Sequence, residues 1–299
     1  MMNTPNILLE PLLDSQERAE YNRLTLSMDR GLASGLGHQT LQYIQEEGYS
    51  APSGRFIDLG AVAQVALQAK VSIRPHMSLP ECPDSPPKTM RIGIRNQTSL
   101  EAAQELQADC PSSRPLVLNF ANSRAPGGGF LAGARAQEEC LVRSSWLYAT
   151  LKGDPYYDYH RQNDSIRASD WAILSPGVPV FRRDDGTLLE EPWLCDFLTC
   201  AAPVASHIHD PDEPVALMKR RIDRVLAIAR AYGYDALVLG AWGCGAFAND
   251  TVAMARLFHD ALLGKYRGAF SQVVFAITDW SAERSYLGPF HDAFQKITP

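Results

Sequence analysis

The chain has 299 residues, with 28 Lys and Arg against 34 Asp and Glu, a formal net charge of −6. Apolar residues make up 45% and charged residues 21%, enough side chain for a sizeable core, which excludes disorder as the main state. Mild acidity excludes broad, sequence-blind nucleic-acid binding, which needs a basic face, yet leaves room for a phosphate-bearing ligand held by backbone N–H groups.

Taken in chain order, the first ~35 residues are polar and contain Gly31, Gly35 and Gly37. They read as a helical extension, with QERAEYNRLTLSM its best helical piece, followed by a second helix in HQTLQYIQEEG closed by Gly48. The turn APSG and a short strand FIDLG come next. The proline-rich stretch from 76 to 89 is predicted to be a loop. MRIGIRN then reads as a strand, SLEAAQELQ as a helix, PLVLNFAN as a buried strand and Gln137 to Leu151 as one helix. WAILSPGVPVF and FLTCAAPVA are strand-like. Val215, Met218, Ile222, Val225, Ala229 and Tyr232 step by three and four, the stripe of an amphipathic helix. ALVLGAW has strand length, NDTVAMARLFHDALL is a helix capped by Asn249 or Asp250, and VVFAIT is another buried strand. SAERSYLGPFHDAFQ closes the pattern as a helix interrupted near Gly288 and Pro289. Continuous apolar strands alternating with helices predict an α/β sheet covered on both faces.

No run approaches the ~18 apolar residues of a membrane span, and MMNTPNILLEPLLDSQERAEYN has early acids and no basic n-region. No membrane association and no signal peptide are therefore expected, and a cytoplasmic location is. The six cysteines, Cys82, Cys110, Cys140, Cys195, Cys200 and Cys244, form no C-x-x-C pair and read as buried reduced thiols. His207 and His209 form H-I-H in a loop-like stretch, where spacing suggests no third metal ligand.

Ligands of open α/β sheets bind beyond the carboxyl ends of strands. Two strand ends stand out, LVLNFANSRAPGGGFLAGARAQEECLV and ALVLGAWGCGAFAND, each a buried strand, a glycine-rich loop and a helix. Such loops let backbone N–H groups and a helix N-terminus face an anion. Gly127, Gly128 and Gly129 free the backbone for φ > 0 and close ligand approach. A formal G-x-G-x-x-A match (Gly127, Gly129, Ala132) is a poor dinucleotide fingerprint, because Asn122 to Pro126 separate it from the strand and the helix opens only near Ala134. No Gly-Lys-Ser/Thr follows, so a Walker A loop is absent. Gly240, Gly243 and Gly245 lie in the second loop, with Phe247 placed to stack on a sugar or to pack in the core. Glu138 and Glu139 follow the first loop. Adjacent helical residues point about 100° apart, so one is expected to face a cleft and the other its rim. A carboxyl group at this strand end is placed to donate a proton to a glycosidic oxygen.

The stretch N-F-A-N-S-R-A-P-G-G-G-F-L-A-G-A-R-A-Q-E-E resembles the signature of the poly(ADP-ribose) glycohydrolases, a triple glycine separated by a short spacer, here Phe130 to Ala136, from Gln-Glu-Glu. The loop G-A-W-G-C-G-A-F-A-N resembles the diphosphate-binding loop of macrodomains, the fold of that family. G-H-Q-T-L-Q-Y-I-Q-E-E-G-Y, S-P-G-V-P-V-F-R-R-D-D-G and V-V-F-A-I-T-D resemble its short, bacterial-type branch. The resemblance implies a three-layer macrodomain-like α/β fold with a mixed central sheet, residues 1–37 as an N-terminal helical extension and 38–299 as the catalytic domain. Strands LVLNF and ALVLG should then be adjacent, or nearly so, at the sheet centre.

For activity, the resemblance implies hydrolysis of the ribose–ribose bonds of poly(ADP-ribose), exo-acting, with ADP-ribose as product and no metal or other cofactor. Glu139 matches the catalytic acid and Glu138 its partner on ribose hydroxyls; Asn122 matches the asparagine that orients the terminal ribose. Gly127, Gly128, Gly129 and the loop Gly243, Cys244, Gly245, Ala246 and Phe247 would hold the diphosphate and pack on the terminal ribose, with Gln137 completing the substrate site. The expected partners are poly(ADP-ribose) or ADP-ribosylated proteins, with no direct sequence-specific nucleic-acid binding. A mono-ADP-ribose hydrolase and a non-catalytic ADP-ribose reader remain as alternatives; a nicotinamide-dependent oxidoreductase is disfavoured by the loop spacing.

Overall fold

The computed structural model describes residues 6–82, 88–110 and 114–295. The elements run β1 (Ile7–Leu9), α1 (Gln16–Leu26), α2 (Arg30–Glu46), β2 (Gly48–Ser50), β3 (Phe56–Asp58), α3 (Gly60–Ala69), β4 (Val71–Ile73), β5 (Met90–Arg95), α4 (Ser99–Asp109) and β6 (Leu116–Phe120). They continue with α5 (Gln137–Ser144), α6 (Leu147–Leu151), α7 (Pro155–Gln162), β7 (Ala172–Arg182), β8 (Leu188–Cys200), α8 (Asp212–Ala231), β9 (Ala236–Leu239), α9 (Thr251–Leu263), β10 (Gln272–Ala276) and α10 (Leu287–Gln295).

Eight strands form one mixed sheet in the order β1-β5-β10-β9-β6-β8-β7-β4. The first six run parallel, β7 runs antiparallel to β8, and β4 antiparallel to β7. β6 and β9 are neighbours at the sheet centre, paired through Leu116↔Leu237 and Val117↔Val238. Their side chains alternate between two cores, as the two-residue repeat of a strand requires. Leu116, Leu118, Leu237 and Leu239 meet Met218, Ile222, Met254, Phe258 and Phe290 of α8, α9 and α10. Val117, Ala236 and Val238 meet Leu100, Leu141, Leu147 and Tyr156 on the other face. This is the expected sheet between two helical layers.

The local differences have identifiable causes. The helix expected over Gln137–Leu151 breaks in two because Ser145 is extended and bridges Val180, and the Trp146 N–H donates to the Pro179 carbonyl. The second N-terminal helix starts earlier, at Arg30, where the Asp29 carboxylate accepts from Gly31 and Leu32 N–H groups. Gly37 lies inside it, because a Cβ there would sit 2.8 Å from the Phe130 carbonyl oxygen. The left-handed residue closing this helix is Glu47 rather than Gly48. At the other end of the chain no helix spans 281–286; the Asp279 carboxylate instead gathers the N–H groups of Ser281, Tyr286 and Leu287. Helix α10 begins at Leu287, with Pro289 in its first turn, where no N–H is needed. The N-terminal extension carries a strand besides its helices, since β1 pairs in parallel with β5. Pro176 of β7 falls in a register shift against β8, between Ser175 and Val178, whereas Pro179 pairs in register with Leu194. FLTCAAPVA is strand only to Cys200.

Within the loop expected over 76–89, residues 83–87 lie outside the described residues, and the remainder carries no helix or strand. Cys140, Cys195, Cys200 and Cys244 are buried as expected, whereas Cys82 and Cys110 are exposed. No helix among the described residues is long and apolar enough to cross a membrane.

Candidate active site

The carboxyl ends of β5, β10, β9 and β6 open into one cavity of about 520 Å³. Phe120 and Gln137 line it at β6, and Gly243, Gly245, Ala246 and Phe247 at β9. Gln97, Thr98 and Ser99 close it beyond β5, and Ile277, Thr278, Trp280 and Tyr286 beyond β10. Phe247 serves both readings of it, lining the cavity and packing on the core. Cys244 is buried in that core and lies off the cavity wall.

Gln137 fixes the start of α5 against β6. Its Oε1 accepts from the Phe120 N–H at 2.9 Å, and its Nε2 donates to the Leu118 carbonyl at 2.8 Å and to Ser99 Oγ at 3.1 Å. The next two residues carry the acids. Glu138 Oε2 accepts from the Asn122 N–H at 2.7 Å, and Glu139 Oε1 from the Gly129 N–H at 2.9 Å. Both side chains are buried. The expectation of one acid in a cleft and one on its rim is therefore corrected: both carboxylates turn under Gly128. A Cβ built on Gly128 would overlap Glu139 Oε1 and lie 3.0 Å from Glu138 Oε2. Two opposite-going N–H tethers, from Asn122 and Gly129, overcome the divergence of adjacent helical positions.

The two acids are held unequally. Burial pushes the Glu138 carboxyl well above the ordinary range; the Asn122 N–H pulls against this, and the neighbouring Glu139 adds to it. Asn119 Nδ2 lies 3.5 Å from Glu138 Oε1 and 3.1 Å from Thr199 Oγ1. Glu139 Oε2 is buried with no hydrogen-bond partner among the described residues. Neither acid is on the cavity wall itself; α5 reaches that wall through Gln137, Cys140 and Leu141, and the acids lie behind it, beneath Gly128. Asn122 spends its side-chain oxygen on the Arg124 and Ala125 N–H groups, shaping the loop that leads to the triple glycine. Gly127 and Gly128 take φ values of 72° and 58°.

Several wall residues carry no signal in the sequence. Leu26 and Ser27, from the joint between α1 and α2, line the cavity, and Arg135 donates to the Met28 carbonyl at 2.7 Å beside them. Asp184, at the tip of the β7–β8 hairpin, accepts from Thr98 Oγ1 at 2.7 Å. Burial raises its pKa to about 6. Trp280 had a usable signal, an aromatic residue just past a buried strand. His207 and His209 lie exposed, and among the described residues no three His, Cys, Asp or Glu side chains gather as a metal-binding group.

A family model for the microbial-type PARG catalytic domain matches residues 37–183. No curated protein matches the chain. Among solved structures, the poly(ADP-ribose) glycohydrolase of Thermomonospora curvata is 38% identical, with a TM-score of 0.83 over 88% of this chain and 100% of that one. The same enzyme bound to the inhibitor ADP-HPD matches at 37% identity and a TM-score of 0.80, over 88% and 99% of the two chains. The poly(ADP-ribose) glycohydrolase of Deinococcus radiodurans in complex with ADP-ribose is 32% identical, with a TM-score of 0.69 over 79% of this chain and 97% of that one. The expected macrodomain-like fold is thus present, and the chain belongs to the microbial-type poly(ADP-ribose) glycohydrolases.

Proposed function

We propose that this chain hydrolyses the ribose–ribose bonds of poly(ADP-ribose) from the chain end, releasing ADP-ribose. The observation that carries the reading is the state of Glu139. One carboxylate oxygen is fixed by the Gly129 N–H, and the other is buried without a partner. A buried polar atom without a protein partner is costly, which favours a substrate hydroxyl or ether oxygen meeting it. In this reading Glu139 protonates the leaving ribose oxygen and then takes a proton from the attacking water. Glu138, whose carboxyl burial pushes well above the ordinary range, binds ribose hydroxyls. N–H groups of the loop at Gly243–Phe247 hold the diphosphate and so position the scissile bond, while the triple-glycine loop, whose Gly128 and Gly129 N–H groups are engaged by Ala125 and Glu139, contributes close backbone approach.

Glu139→Gln tests it. The amide preserves shape and still accepts from Gly129 but delivers no proton, so release of ADP-ribose from polymer falls by about 10²–10⁴-fold. Affinity for ADP-ribose changes far less. A folded variant with near-normal release overturns the assignment. Chromatography of the wild-type products decides the exo mode, which requires monomeric ADP-ribose from the first turnovers.

A further inference from the structure

Asn249 has no task in the proposed reaction, and none in capping α9. That cap is Asp250, whose carboxylate accepts from the Ala253 N–H at 2.7 Å. Asn249 is 3% exposed and serves the loop that follows β9 instead. Its Nδ2 donates to the Gly243 carbonyl at 3.0 Å and to the Pro203 carbonyl at 2.9 Å, and its backbone N–H donates to the same Gly243 oxygen at 3.0 Å. Gly243 leaves room for this contact: its φ is 77°, and a Cβ there would sit 2.7 Å from Asn249 Nδ2 and 2.7 Å from Ala202 Cβ. One residue thus ties the two ends of the loop to each other and to the chain leaving β8. Between those ends the Ala248 N–H donates to the Gly245 carbonyl at 2.9 Å, and Ala248 is left-handed at φ 57°. A residue with a Cβ keeps that conformation only where its surroundings hold it. The N–H groups of Gly245, Ala246 and Phe247 have no hydrogen-bond partner among the described residues, and all three residues line the cavity.

Resting on the functional reading above, we propose that Asn249 is a positioning residue for the diphosphate: its amide fixes the curve of the loop so that the Gly245, Ala246 and Phe247 N–H groups converge on one anion. Successive N–H groups in a tight turn form a concavity for anionic oxygens. A curve set before the ligand arrives spares the cost of ordering the loop on binding. The side-chain type follows from the two carbonyls. An amide nitrogen carries two donors and meets both without bringing a charge into the interior. The Asn249 Oδ1 is buried with no hydrogen-bond partner among the described residues, so the side chain acts through its donors alone. The far anchor is itself fixed: Arg221, fully buried, donates to the Ala201 carbonyl at 2.8 Å, two residues before Pro203.

The test is calorimetric titration of the full chain with ADP, which carries the diphosphate, and with adenosine, which lacks it. The wild-type protein is expected to bind ADP more tightly. Asn249→Ala weakens ADP by roughly tenfold or more, the scale of several hydrogen bonds to an anion drawn out of line, and leaves adenosine unchanged. Asn249→Ser keeps one donor, falls between the two, and serves where the alanine variant fails to fold. Asp250→Ala is the control for stability: it removes the cap of α9 and lowers the melting temperature, with the ratio of ADP to adenosine affinity kept. A purely structural role for Asn249 gives that same pattern, a lower melting temperature at an unchanged ratio, which overturns the proposal. An equal change of ratio in Asp250→Ala assigns the effect to the helix and also overturns it. A wild-type protein that binds ADP no more tightly than adenosine overturns the reading of this loop as the holder of the diphosphate, a result distinct from a preference that survives the substitution.

Discussion

Gly128 and Glu139 occupy space that only a residue without a Cβ permits: a methyl group on Gly128 would overlap the Glu139 Oε1 that the next N–H in the loop holds. The backbone there is also left-handed, at φ 58°. Gly128→Ala therefore combines strain with displacement of the carboxylate. Gly54 separates the two effects, because it has φ 85° and open space around its Cβ position. Both alanine variants are expected to lose about 1–3 kcal/mol from backbone strain. Only Gly128→Ala loses turnover, by at least about a hundredfold if the acid is pushed from its place. Melting temperatures and polymer hydrolysis, measured side by side, check this; a Gly128→Ala protein with wild-type turnover contradicts it.

Asp184 makes stability depend on pH in an unusual direction. Its ordinary pKa of 3.8 rises to about 6 through burial, reinforced by Glu101 and Asp185 and opposed by the Thr98 hydrogen bond and Arg143. The folded chain thus holds this proton more tightly than the unfolded chain. Below about pH 3.8 the group contributes no difference; between there and about pH 6 the unfolded state ionises first, and stability falls as pH rises. Asp184→Asn removes the penalty, which is at most about 3 kcal/mol. The variant is expected to melt higher than wild type near pH 7.5, with the gap closing toward pH 4.5. A gap that stays flat across that range contradicts the assignment.

Much of this was legible because it depends on short stretches of chain. The runs 116–118 and 236–239 are apolar on both faces, and a strand buried between two helical layers needs nothing else to declare itself. The triple glycine and the Gln-Glu-Glu that follows lie on one loop–helix unit, so their association is local. What was not legible depends on distant partners. Ser145 leaves the helix because β7 offers it a bridge, at Val180. Asp184 meets Thr98 across 86 positions. Strands β1 and β4 are three residues each, too short for any period to register. The convergence of Glu138 and Glu139 is set by loop N–H groups, which no helical wheel contains.

The N-terminal extension enters the same accounting through Asn22. Asn22 is fully buried, and its Nδ2 donates to both the carbonyl (2.9 Å) and the Oδ1 (2.7 Å) of Asn96. Asn96 is a junction: its Nδ2 donates to Asp14 Oδ1 and to the Asp279 carbonyl, each at 2.7 Å, and its Oδ1 accepts from the Asp279 N–H. The residues just beyond this junction, Gln97–Ser99 and Trp280, form two walls of the cavity. Asn22→Ala removes the buried donor and leaves its acceptors short, a loss of about 1–3 kcal/mol. Because the walls loosen while the acids under Gly128 do not move, affinity should suffer and chemistry should not. The expected result is a lower melting temperature and a raised KM for polymer, with kcat at saturation close to wild type. A fall in kcat at unchanged KM would instead tie the extension to Glu138 and Glu139, and an unchanged melting temperature would deny Asn22 its place in the junction.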